Sequence, residues 1–140
     1  MRHPVYGNVK TVIDGIMFDS KREAKYYQDL LILKRIGEVK EIECHPTFEL
    51  QPAYRKCCGH IWLDKPAWDI KGATVCGNCG KKMKKIQAIT YSADFRVTYV
   101  NGHEEIVDVK GMETKFFKNK RKMFEFHYPK LTLKVIKKQT

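Results

Sequence analysis

The chain lacks any apolar run long enough to span a membrane, and its N-terminal MRHPVYGNVK has no apolar signal region. A spanning protein and a secreted one are therefore not expected, and the expected location is intracellular, with no membrane partner. Internal repeats and low-complexity segments are missing too, which excludes solenoids and disordered tracts. Acidic residues are in short supply, 16 Asp and Glu against 27 Lys and Arg. The formal charge of +11 and a pI near 9.5 call for a polyanionic partner. Cysteine is scarce as well. Five residues, two of them in a CxxC, suit a metal site better than disulfides in a reducing compartment. What remains, 140 residues at 43% hydrophobic, is enough for one core.

The most informative stretch is YSADFRVTYVNGHEEIVDVK, residues 91–110. Tyr91, Ala93, Phe95, Val97 and Tyr99 alternate with Ser92, Asp94, Arg96 and Thr98, the period of a half-buried strand. Ile106 to Lys110 forms a second strand, with Asp108 and Lys110 on one side and Val107 and Val109 on the other. The turn between them decides the chemistry. A two-residue loop at Asn101-Gly102 sends Asp94 and Asp108 to opposite faces. A three-residue loop, with Gly102 left-handed, pairs Tyr99 with His103 and sets the aspartates opposite each other. Facing carboxylates repel unless a cation lies between them.

The ADF…DVK pattern resembles the PD-(D/E)xK nuclease superfamily, with Ala93 where the motif name has proline. The resemblance implies a restriction-endonuclease-like αβββαβ core with a mixed central sheet. It also implies a metal-dependent DNA endonuclease with Asp94, Asp108 and Lys110 as catalytic residues. Asp94, Asp108 and the Val109 carbonyl are the expected ligands of Mg²⁺ or Mn²⁺.

Upstream, a helix is predicted after Asp19 or Ser20 and is ended by Gly37, with Glu23, Tyr27 and Leu30 on one stripe. Ser20-Lys21-Arg22-Glu23 reads as a capping box in which Glu23 bonds back to the Ser20 amide. The resemblance offers another role, a third metal-site acid on the first helix. Residues 41–51 read as one strand, with Pro46 near its start. Residues 52–85 form an insertion in the nuclease core of residues 1–51 and 86–140. In it, Cys76-Gly77-Asn78-Cys79-Gly80 is a metal knuckle. A structural zinc needs two more ligands; Cys57 and His60 are favoured, with Cys58 the alternate. Asp64 and Asp69 lie nearby and read as surface acids.

A second helix runs from a Thr114 cap to about His127. Phe116, Phe117, Met123 and Phe124 are its apolar face, and Lys115, Lys118, Arg121 and Lys122 are a DNA-binding face. LTLKVI is the last strand. Small size, the helix glutamate and basic surface are similar to phage Holliday-junction-resolving endonucleases, which implies branched DNA as substrate and a homodimer. The rivals are a general or site-specific phage nuclease and a non-catalytic zinc-containing DNA-binding protein.

Overall fold

A computed structural model describes residues 9–63, 75–76 and 78–137. Most of the basic arm, Asp64, Asp69, Gly77 and the end of the basic tail lie outside the described residues. The chain divides into two compact units, Met1–Pro46 with Ser92–Thr140, and Thr47–Tyr91. The second unit is wider than the expected insertion of residues 52–85, because strands on both sides of that segment pair with each other.

In the first unit, β1 (Thr11–Ile13) and β2 (Ile16–Phe18) form a hairpin ahead of α1 (Lys21–Arg35) and β3 (Val39–Cys44). The second unit carries β4 (Thr47–Gln51), β5 (Tyr54–Cys57), β6 (His60–Leu63), β7 (Lys84–Ile86) and β8 (Ile89–Ser92). The chain returns as β9 (Phe95–Tyr99), β10 (Glu104–Lys110), α2 (Lys115–His127) and β11 (Thr132–Lys137). The first unit's large sheet has the order β11-β10-β9-β3. β10 and β11 are parallel, and the other pairs are antiparallel, so the protein is α/β with a mixed sheet and two helices among the described residues.

Helix α1 starts where Ser20 accepts the Glu23 N–H, at 3.1 Å. It stops in paired bonds from Glu38 N–H to the Leu33 carbonyl and from Gly37 N–H to the Lys34 carbonyl, with Gly37 at φ 85. Its buried residues are Glu23, Ala24, Tyr27 and Leu30, the predicted stripe. With Phe18, the three apolar ones pack on Val39, Phe95, Val97 and Val107 of the sheet. The larger aliphatic and phenylalanine side chains among them contribute about 1.5–3 kcal/mol each on burial.

Two single strands of the sequence reading are in fact broken. Residues 41–51 divide into β3 and β4 at His45, which has φ 55, and Pro46, which has no N–H to donate. Residues 91–99 divide into β8 and β9 at Ala93 and Asp94. The breaks face each other. His45 N–H donates to the Asp94 carbonyl at 2.9 Å, and Ala93 N–H to the Pro46 carbonyl at 3.1 Å. In the second unit β4 pairs with β8, and β6-β5-β7 form a three-stranded sheet.

Helix α2 begins at the expected Thr114 cap, but its apolar face is narrower than predicted. Phe117 and Phe124 are buried, whereas Phe116 is 71% exposed. No helix among the described residues is long and apolar enough to cross a membrane.

Candidate metal centres: a carboxylate–lysine site and a cysteine cluster

The β9–β10 hairpin has the three-residue loop. Tyr99 N–H donates to the His103 carbonyl and Gly102 N–H to the Tyr99 carbonyl, both at 2.9 Å, with Gly102 at φ 91. That backbone angle is ordinary only for glycine. The register runs from Glu104↔Thr98 to Val107↔Phe95 and ends there, one residue short of Asp94 and Asp108. Asp94 N–H donates to the Val107 carbonyl at 3.0 Å, although Val107 is already the partner of Phe95. Two residues thus converge on one, the geometry of a β-bulge, which re-aims the Asp94 side chain. Its Oδ2 accepts the Val109 N–H at 2.6 Å. Val109 packs against the core cluster, and its N–H is the group tied to the site.

Asp108 lies on the central strand and is 2% exposed. The Lys110 ammonium stands 3.4 Å from its Oδ1 and 4.6 Å from the centroid of the Phe117 ring. Lys110 is thus held between an anion and an aromatic face. Phe117 has a supporting role that helix periodicity alone gives no reason to assign. The Lys110 carbonyl accepts from Arg22 Nη1 at 3.3 Å, which ties the first turn of α1 to the end of β10.

That tie brings Glu23 to the strand pair. Glu23 is buried, and the Ser20 hydroxyl donates to its Oε2 at 3.2 Å. Only half of the expected capping box forms. Ser20 caps the Glu23 N–H, but the glutamate turns to the Ser20 hydroxyl rather than its amide. Glu23 Oε1 is buried without a hydrogen-bond partner. A buried carboxylate oxygen in that state costs free energy unless a cation or donor meets it.

Asp94 registers the crowding. Burial pushes its carboxyl from 3.8 up to about 7; Glu23 adds to the rise, and the Val109 N–H and Asp108 oppose it. A carboxyl held up by burial and a second acid is one that a cation would ionise. The donors are all oxygens, the set that suits Mg²⁺ or Mn²⁺. The three acids are not a tight cage: the described ligand set whose atoms all lie within 4.8 Å of one another is a different one. Asp94 is the neighbour common to Glu23 and Asp108. An open arrangement fits an ion that keeps several waters.

The tight set is Cys57, Cys58, Cys76 and Cys79, a cluster able to hold a metal ion such as zinc. Cys57 ends β5, and Cys58-Gly59 is the two-residue turn into β6, with φ 53 and 72. Cys57 Sγ lies 3.4 Å from Cys79 Sγ and 3.8 Å from Cys58 Sγ. On the other side, the Gly80 N–H bonds the Cys76 carbonyl, and the Asn78 N–H points to Cys76 Sγ at 3.4 Å. His60, the favoured fourth ligand, is not in the set, and the alternate Cys58 takes its place. The reason is the turn. His60 pairs across the hairpin with Cys57, its ring 5.8 Å from that of Trp62, while Cys58 at the tip joins the sulfurs. A non-glycine residue in that left-handed region costs about 1 kcal/mol, so a cysteine there needs a reason, and coordination supplies one. The Lys81 N–H, then Cys58 and Cys57, lower the Cys79 thiol to about 7; Cys79 in turn pushes Cys57 up to about 12. Four sulfurs this close ionise together only around a cation.

On α2, Lys115, Lys118 and Lys122 are exposed, and none of them makes an ion pair among the described residues. Arg121, expected to join them, is instead held by Glu113 at 3.4 Å and Glu125 at 3.2 Å.

A family model described as "Protein of unknown function (DUF1064)" matches residues 3–140. The chain belongs to the DUF1064 family. No curated protein and no solved structure matches it.

Proposed function

We propose that this DUF1064 chain is a Mg²⁺- or Mn²⁺-dependent DNA endonuclease of PD-(D/E)xK type. The observation that carries the reading is the half-buried Asp94 carboxyl, raised to about 7 beside Glu23 and within side-chain reach of Asp108, which pairs with Lys110 on β10. The order α1-β3-β9-β10-α2-β11 supports it, because it follows the αβββαβ core that the resemblance implies.

Asp94 and Asp108 would hold the ion, and Glu23, the acid beside Asp94, would complete or orient the set. The bound ion supplies charge stabilisation at the scissile phosphate and a lowered pKa for a coordinated water. Lys110, steadied by Asp108 and the Phe117 ring, orients the attacking water or neutralises charge as the phosphodiester opens. Exposed lysines on α2 hold the backbone phosphates, so affinity comes from charge and shape rather than base edges. The cysteine cluster holds a structural zinc, since four thiolates leave no open position for substrate.

Branched DNA such as a four-way junction is the proposed substrate, cut by a symmetric homodimer that places two sites on two strands. The test is a panel of linear duplex, single strand, fork and junction with and without Mg²⁺. The junction is expected to bind at least about tenfold tighter than duplex and to be cut in pairs at the branch. Equal affinity, or a monomer at working concentration, moves the reading to a general or site-specific nuclease. Binding with no cut in any substrate favours the rival, a zinc-containing DNA-binding protein without catalysis.

A further inference from the structure

We infer that Phe116, at the exposed start of α2, is a stacking platform for an unpaired nucleobase next to the carboxylate–lysine site; the choice of ligand rests on the nuclease reading. Phe117 is buried and carries the Lys110 ammonium over its ring at 4.6 Å. Phe116 is the next residue, turned about 100° round the helix and 71% exposed. Its ring therefore faces solvent one position along the helix from the ring that carries the lysine.

The surroundings specify the ligand. The Lys120 ammonium, one turn on, lies 4.8 Å from the centroid of the Phe116 ring. Lys115 and Lys118, on the neighbouring faces of the same helix, are exposed and make no ion pair among the described residues. Met112, four residues earlier, is 64% exposed. An aromatic face beside ammonium groups meets both halves of a nucleotide, the base by stacking and the phosphate by charge. A closed duplex offers only the phosphates, because its bases are already stacked. A base freed at a fork, a branch or a strand end has a face to give, so the ring discriminates where the lysines do not.

The experiment reads binding in buffer free of Mg²⁺ and of chelator, so zinc is kept and no cutting is needed. Phe116→Trp is compared with the unmodified chain, whose two tryptophans set the background fluorescence. The added signal should be quenched by a fork or single-stranded overhang and unchanged by a closed duplex at equal saturation. Phe116→Ala and Phe116→Leu should each lose about fivefold or more in affinity for the fork and keep duplex affinity. Equal quenching by both DNAs overturns the inference, as does Leu binding the fork as well as Phe. A signal change with phosphatidylserine–phosphatidylcholine vesicles but not with the fork overturns it in favour of a membrane surface. Stacking without Mg²⁺-dependent cutting sinks the nuclease reading and leaves this one standing; cutting without stacking does the reverse.

Discussion

Replacing Asp94 with asparagine should make the Mg²⁺-free protein more stable, and only above mildly acidic pH. The folded carboxyl titrates at about 7 against 3.8 for the free side chain. Between those values the folded state keeps a proton that the unfolded state has released, so stability falls as pH rises through the window and stays reduced above it. Three pH units correspond to about 4 kcal/mol. Solvent reaches this half-buried group, and about 2 kcal/mol is the working figure. Asparagine keeps an acceptor for the Val109 N–H and brings an N–H₂ toward the Glu23 carboxyl. At pH 8 the variant should melt about 6 °C higher, taking about 3 °C per kcal/mol for a chain of this size. At pH 4 the two should coincide. Millimolar Mg²⁺ should raise the unmodified chain and not the variant, closing the gap. Thermal unfolding across pH 4–8 reads all of this. A variant that is no more stable at pH 8, or whose gain is the same at pH 4, refutes the electrostatic account of the site.

The remaining expectations concern zinc and DNA. Protein prepared without chelator should carry about one zinc per chain by elemental analysis, and strong chelation should disorder Thr47–Tyr91 before the rest, seen by amide exchange. Cys58→Ala should weaken zinc retention by about tenfold or more, whereas His60→Ala should leave it unchanged, because the set contains Cys58 and not His60. Single alanine replacements of Lys115, Lys118 or Lys122 should each lower the salt slope of DNA binding by about one. Arg121→Ala should change it little, since Glu113 and Glu125 already hold that guanidinium.

The hairpin was legible in the sequence because one loop length places both aspartates together and Asn101-Gly102 suits it. The buried stripe of α1 was legible for the same kind of reason, a period that only one structure satisfies. The bulge at Asp94 was not. Tyr91, Ala93, Phe95 and Val97 keep their alternating burial straight through the break, so the period carries no mark of it. Nor was the choice between His60 and Cys58 available from ligand spacing. The signal lay in the turn: Cys58-Gly59 as a two-residue hairpin loop sets His60 across from Cys57. The exposure of Phe116 and the ion pairs of Arg121 were hidden for one reason. Helical spacing places a residue on a face, but only tertiary neighbours tell whether a ring is covered or a cation already paired.

The central claim is that Asp108 helps hold a metal that does the chemistry while basic surface supplies affinity. The direct measurement is Mg²⁺-dependent DNA cleavage by Asp108→Ala, with Asp108→Asn as the isosteric control, beside DNA binding by the same proteins. Cleavage should fall by at least about three orders of magnitude, the several kcal/mol a metal contributes, with binding within about threefold of the unmodified chain. Undiminished cleavage by either variant would contradict the account.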